Sequence, residues 1–193
     1  MKKKRTSLPT INQVAQERKR LDNRKKFLRS VRSTIGTLLV VAAVAVLIAT
    51  LFAPILQVSG TSMDPTLKDG DVVVLTKSSR FETGELVGFY YQDKILLKRV
   101  IGQPGDRIDI KADGTVLVNG TALEEPYISG KSLGQCDIEF PYYVPDGRWF
   151  LMGDHRETSI DSRSDEVGCV GSEQIIGRVV FRLWPFSELG KVS

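Results

Sequence analysis

The sequence predicts a mainly β domain, built from antiparallel sheet, behind a single N-terminal transmembrane helix. Three observations carry this. No charged residue occurs from Ser33 to Met63, a strongly basic segment precedes that stretch, and short β-branched and aromatic runs separated by turn residues follow it. At 193 residues the chain accommodates one domain of ordinary size plus appendages.

The helix rests on residues 35–53, nineteen positions of Ile, Leu, Val, Ala, Phe, Gly and Thr. At about 1.5 Å per residue such a segment spans a hydrocarbon layer roughly 30 Å thick. A buried helix in a soluble core seldom stays free of charge on every face for so long. A cleaved signal peptide has a shorter apolar region, about 7–15 residues, and a shorter basic start. A retained anchor is the better reading. Residues 1–32 hold twelve of the 27 Lys and Arg but only Glu17 and Asp22 among the 23 acids, so the overall +4 joins a basic tail to an acidic remainder. Lys/Arg excess marks the cytoplasmic flank of a span. This predicts a cytoplasmic tail over 1–32, a membrane anchor over 33–56 and an extracytoplasmic domain over 57–193. Placed directly before an anchor, the basic run reads as that flank rather than as a nucleic-acid-binding arm. Ile11, Val14, Leu21 and Leu28 offer a weak apolar stripe for lipid, with disorder the equal alternative. Pro54 ends or kinks the helix.

Beyond the anchor, strands are predicted at 71–75, 85–91, 94–101, 106–110, 115–118, 148–152 and 177–184. Pro104-Gly105, Asp113-Gly114, Asn119-Gly120 and Asp146-Gly147 mark the turns between them. Asn119-Gly-Thr121 also has the form of a glycosylation acceptor, but a hairpin turn is the simpler reading. Residues 124–145, with Pro126 and Pro141, read as an excursion from the sheet. Two cysteines, Cys136 and Cys169, leave two readings open. A disulfide closing the loop between positions 136 and 169 stabilises by roughly 3–4 kcal/mol in the chain-entropy model, and two free thiols are equally compatible with the spacing.

The residues available for chemistry are few. His155 is the only histidine, which excludes a two-histidine zinc site, and a Ser-His-Asp triad must use it or none. Ser62 follows the anchor closely, in Ser59-Gly-Thr-Ser-Met-Asp-Pro-Thr-Leu67, a credible position for a surface nucleophile. Lys98 lies in an otherwise largely apolar strand, sharing a face with Leu96 and Val100, while Leu97, Arg99 and Ile101 point the other way. Burial lowers a lysine from its usual value of about 10.4 and makes a neutral base available. On pattern alone, Lys98 is equally an edge-strand lysine reaching solvent, and Ser62 an ordinary turn hydroxyl.

Four ordered blocks decide between these readings. Ser62-Met-Asp-Pro-Thr-Leu67, Gly70-Asp-Val-Val-Val74, Lys98-Arg-Val-Ile-Gly-Gln-Pro-Gly-Asp106 and Gly153-Asp-His-Arg-Glu-Thr-Ser-Ile-Asp-Ser-Arg163 resemble the motif blocks of bacterial type I signal peptidases. The resemblance begins at the anchor and runs to residues 178–185. It implies the Ser-Lys protease type of β fold, in which Ser62 is the nucleophile and Lys98 the neutral general base. It further implies that Ser159 orients the lysine through a hydrogen bond, that Asp161 and Arg163 support the site as an ion pair, and that Met63 packs beside the nucleophile. The Ser62 backbone N–H is implied as an oxyanion donor. Some family members carry a serine hydroxyl at the position of Gly60, so here main-chain groups, Ser59 or Thr61 would serve. His155 stands where asparagine is usual and takes no catalytic role.

The resemblance implies preproteins with signal peptides as substrates, cut after small-x-small sequences, with no metal and no organic cofactor. It implies a bacterial cell-membrane location in contact with lipid, close to the export translocon, and no nucleic-acid partner. Phe81, Phe89 and Tyr90 are either interface residues or core. Of the rivals, a self-cleaving Ser-Lys repressor protease requires a DNA-binding head that is absent. A sortase-like transpeptidase requires a cysteine in a His/Arg setting that Cys136 and Cys169 lack. A membrane-anchored β binding module, with Ser62 and Lys98 incidental, is the reading from a different class.

Overall fold

The computed structural model describes residues 11–192. The first ten residues of the basic tail and Ser193 lie outside the described residues. The chain divides into two units, the second beginning at Thr50.

Helix α1 runs from Ile11 to Phe52, 42 residues, through both the basic segment and the apolar stretch, and all but its last three residues belong to the first unit. Arg, Lys, Gln, Leu and Ala are strong helix formers, so local propensity carries the helix through the charged half that had disorder as its equal reading. Its residues Val14–Leu47 are long and apolar enough to cross a membrane. The helix stops two residues before Pro54, whose ring and missing N–H oppose continuation.

The second unit is antiparallel β. In chain order its strands are β1 (Ile55–Gln57), β2 (Val72–Thr76), β3 (Leu86–Tyr91), β4 (Lys94–Gly102), β5 (Arg107–Ile110), β6 (Val116–Val118), β7 (Thr121–Ala122), β8 (Tyr142–Tyr143), β9 (Arg148–Met152), β10 (Val170–Gly171), β11 (Ile175–Trp184) and β12 (Gly190–Lys191). The larger sheet has the order β1-β2-β11-β3-β4-β9-β10, with β12 also pairing β11. The smaller has the order β7-β6-β5-β8. All seven predicted strands are present within one or two residues at each end. Of the strands not predicted, β7, β8, β10 and β12 have two residues each, too few for a two-residue period to register, and β1, with three, continues the apolar run of the anchor. Residues 55 and 56, apolar and counted with the anchor, belong to β1, which pairs with β2.

Side-chain alternation builds three apolar clusters. Ile101, Phe150 and Met152 of the larger sheet meet Ile108, Ile110 and Val116 of the smaller. Val58, Met63, Leu67, Val73, Leu75, Leu86 and Val179 pack beneath the segment that carries Ser62. Val87, Phe89, Val100, Trp149 and Leu151 form the third, together with Phe81. Phe81 and Phe89 are therefore core residues, whereas Tyr90 is 57% exposed. Along β4, Leu96 and Val100 join the third cluster while Leu97 and Ile101 join the other two, which is the predicted alternation. Asn119 and Gly120 both take positive φ (55° and 84°), as a two-residue type I′ hairpin demands, and β6 and β7 pair across them.

The cysteines are not joined: both thiols are free. Cys169 is buried in the cluster between the sheets, where burial pushes its thiol up to about 11. The Cys136 sulfur is held instead in the 124–145 excursion, 3.6 Å from the Ile138 carbonyl that accepts from it.

Candidate active site

Ser62 sits on a compact turn between β1 and β2. Leu67 N–H donates to the Met63 carbonyl at 2.9 Å and Asp64 N–H to Thr61 O at 3.1 Å, which winds residues 61–67 tightly. Met63 and Leu67, both essentially fully buried, fasten the turn to the core and leave Ser62 half-buried at the surface. Gly60, just before it, has φ +90°, a backbone conformation that favours glycine over any side-chain-bearing residue. Its N–H donates to Asp69 Oδ1 at 2.8 Å.

Lys98 comes from the middle of β4, opposite Val87 of β3. It is only 2% exposed, and its Nζ lies 2.8 Å from Ser62 Oγ. As an ammonium Lys98 donates to the hydroxyl; as a free amine its lone pair accepts the hydroxyl proton. Burial lowers the lysine from 10.5 to about 8. The Asp161 carboxylate opposes that fall, the Arg163 guanidinium adds to it, and Asp154 again opposes it.

The loop from Gly153 to Arg163 closes the site from the far side. His155 N–H donates to the Ser62 carbonyl at 3.1 Å. Asp161 and Arg163 form a buried two-pronged pair, with Nε–Oδ1 and Nη2–Oδ2 both at 2.8 Å, and Gly153 N–H also donates to Asp161 Oδ2 at 2.9 Å. Burial would raise the Asp161 carboxyl, but the Arg163 hydrogen bonds and charge and the Gly153 N–H hold it below its ordinary value. Among the described residues the buried Ser159 hydroxyl has no hydrogen bond to Lys98, whose amine is engaged by Ser62. Ser159 Oγ instead sits against Gly153: a Cβ built there would lie 2.2 Å from it and 2.5 Å from the Ser62 carbonyl oxygen.

Several residues of this architecture escaped the sequence reading. Arg99, next to Lys98, is fully buried and grips Asp154 with two hydrogen bonds, at 2.9 and 2.7 Å, under the ring of Tyr127. Arg156 pairs with Glu125 in the same buried layer. Arg163 also donates to the carbonyls of Leu133 and Arg156, so the irregular 124–145 segment braces the loop. These side chains read as ordinary surface charges because ion pairing across 31 to 55 residues leaves no periodic signal. A charged residue inside an apolar strand was the available hint for Arg99 as much as for Lys98. His155 is not part of the Ser62–Lys98 contact; its Nδ1 lies 2.8 Å from Thr158 Oγ1.

Beside Ser62 opens a cavity of about 610 Å³, lined by Leu56 to Ser59, Ser62, Met63 and Asp93 to Leu97. β1 is an edge strand of the larger sheet, so one of its edges is free to pair with an extended peptide. Among the described residues no group of three or more His, Cys, Asp or Glu side chains converges as a metal site requires.

A family model described as signal peptidase, peptidase S26, matches residues 31–184. The chain is 37% identical over 173 residues to signal peptidase I of Bacillus licheniformis, a match covering 82% of this chain and 91% of that protein. It is 39% identical over 152 residues to signal peptidase IB of Staphylococcus aureus, covering 68% and 78%. A crystal structure of a signal peptidase I from Enterococcus faecalis aligns with a TM-score of 0.44 at 25% identity, over 51% of this chain and 96% of that one. A match across four-fifths of the chain, from within the apolar half of the helix through every strand that builds the site, is decisive: the chain belongs to the signal peptidase family, peptidase family S26.

Proposed function

We propose that this chain is a membrane-anchored endopeptidase that removes signal peptides from exported preproteins, with Ser62 as nucleophile and Lys98 as general base. The observation that carries the mechanism is the 2.8 Å approach of a buried, pKa-lowered lysine amine to the Ser62 hydroxyl. Neutral Lys98 takes the hydroxyl proton as Oγ attacks the scissile carbonyl. Main-chain donors near Ser62, its own N–H among them, stabilise the oxyanion. The Lys98 ammonium then protonates the departing amine, which releases the mature protein and leaves the signal peptide as an ester on Ser62. Water, deprotonated by Lys98, hydrolyses that ester. Asp161 and Arg163 keep the Gly153 backbone against the dyad, and Met63 anchors the nucleophile turn in the core.

The substrate chain enters as an extended strand along the free edge of β1, with its small side chains facing the apolar cavity beside Ser62. Residues 1–32 form the cytoplasmic tail, 33–56 the anchor and 57–193 the extracytoplasmic domain, an orientation supported by the Lys/Arg bias. Anchoring holds the site at the lipid surface, near the translocon from which preproteins emerge. The test is cleavage of a preprotein by the detergent-solubilised full chain, with the cut mapped by mass spectrometry. A single cut after a small-x-small site, lost in Ser62→Ala and in Lys98→Ala, is expected. Cleavage that persists in either folded variant overturns the dyad.

A further inference from the structure

The Ser62 turn makes a second set of connections, at its other end, that the dyad itself does not need. Thr66 Oγ1 donates to Asp154 Oδ2 at 2.5 Å and accepts from Arg99 Nη2 at 3.2 Å. The Thr66 carbonyl accepts from Arg182 Nη2 at 2.8 Å. One threonine thus touches three separate parts of the fold: β4 through Arg99, the 153–163 loop through Asp154, and β11 through Arg182. Arg99 is itself immobilised, since its Nη1 donates to the Gly84 carbonyl at 2.7 Å and its guanidinium lies 3.8 Å from the Tyr127 ring centroid.

The two links run in parallel. Ser62 and Thr66 are four residues apart on one tight turn, and Lys98 and Arg99 are neighbours on one strand. The dyad joins the first member of each pair, and the threonine hydroxyl joins the second. We infer that Thr66 is a positioning residue for the reaction: its hydroxyl, held between Arg99 and Asp154, sets the separation of Ser62 Oγ from Lys98 Nζ and keeps the nucleophile turn closed over the lysine.

The chemistry requires a hydroxyl here. Asp154 and Arg99 already pair with each other, so the side chain between them must donate to one and accept from the other at once, which a hydroxyl does and a methyl does not. A valine would fill the same volume but leave a buried carboxylate oxygen and a guanidinium N–H each short of a partner. The turn would then move away from the pair, admit water beside Lys98 and lengthen the dyad contact. Catalytic groups displaced by about 1 Å lose rate by up to 100-fold.

This inference rests on the Ser62–Lys98 mechanism, and the experiment separates the two. Thr66→Val and Thr66→Ser are compared with the parent chain in detergent, on a signal-peptide substrate, with kcat, KM and the acid limb of the pH profile measured and thermal unfolding followed alongside. Ser62→Ala reports on the mechanism independently. Thr66→Val is expected to lower kcat about 10- to 100-fold with KM nearly unchanged, and to move the acid limb upward as water reaches Lys98, whose charged neighbours are Asp161, Arg163 and Asp154. Thr66→Ser restores both. A folded Thr66→Val with unchanged kcat and acid limb overturns the inference. So does a loss that the serine variant fails to rescue, or one that tracks the melting temperature while the acid limb stays in place. Should Thr66→Val not fold, Thr66→Cys, similar in volume and a far weaker donor, takes its place: a lowered kcat with a raised acid limb supports the inference, and an unchanged pair overturns it.

Discussion

Replacing Lys98 by methionine should abolish cleavage and make the protein more stable at neutral pH. The methionine preserves the length and most of the volume of the side chain and removes its charge. Lys98 is 2% exposed, and burial takes it from an ordinary value of 10.5 to about 8. The sign follows from linkage. Between pH 8 and 10.5 the unfolded chain holds a proton on Lys98 that the folded chain has shed, so stability rises with pH across that window. Below pH 8 both states are protonated, and the folded state carries the full penalty of an ammonium in an apolar setting. At about 1.36 kcal/mol per tenfold, that penalty is on the order of 3 kcal/mol. For a domain of this size it corresponds to a rise on the order of 10 °C in melting temperature for the variant. The assay is thermal unfolding of the detergent-solubilised chain by near-UV circular dichroism, where buried Trp149 reports on packing. It is run at about pH 7 and repeated toward the ordinary lysine value of about 10.4. The variant should melt higher at neutral pH, and the gap should close as pH approaches 10.5. A variant that melts at or below the parent temperature at neutral pH, or a gap independent of pH, would refute the claim that desolvation of the lysine governs the site.

Two further substitutions probe the surroundings of the dyad. In the parent enzyme kcat/KM should climb as pH rises through about 8, because in the proposed mechanism only neutral Lys98 accepts the Ser62 proton. Asp161→Asn removes a negative charge that raises the lysine, so the acid limb should move lower. The now unpaired Arg163 should cost about 3–5 kcal/mol by denaturant unfolding, and a limb moving upward would contradict the electrostatic assignment. Gly153→Ala should cut kcat sharply and lower stability by about 1–3 kcal/mol or more, since its Cβ would meet both Ser159 Oγ and the Ser62 carbonyl. Unimpaired cleavage by that variant would show the Gly153 backbone free to withdraw from Ser62.

Much of the fold was legible because its causes are local. Nineteen uncharged residues, a lopsided distribution of Lys and Arg, and period-two apolar runs broken by Asn-Gly, Asp-Gly and Pro-Gly each express a short-range constraint, and the helix and strands β2 to β6, β9 and β11 follow from them. The short strands were not legible, because β1, β7, β8, β10 and β12 exist only through the partners that pair with them. The fate of the cysteines was equally hidden: spacing permits a bond, and only their placement, one thiol in the core and one at a loop carbonyl, leaves them free.

For the candidate site the division falls in the same place. Ser62, Lys98, Ser159, Asp161 and Arg163 were named from motif blocks, that is, from short stretches whose residue types can be read in order. The sequence by itself thus determined the anchor, the β class, the family and which side chains are available for chemistry. What makes a pair of them reactive is a distance and a dielectric. The 2.8 Å approach of Lys98 to Ser62 spans 36 residues, and the burial that drives the lysine toward neutrality comes from strands and a loop brought together from distant parts of the chain. The buried Arg99–Asp154 and Arg156–Glu125 pairs, the Thr66 link and the glycine at 153 belong to that level as well. Desolvation depends on everything packed around a group and on nothing written beside it in sequence, so only the tertiary structure decides it.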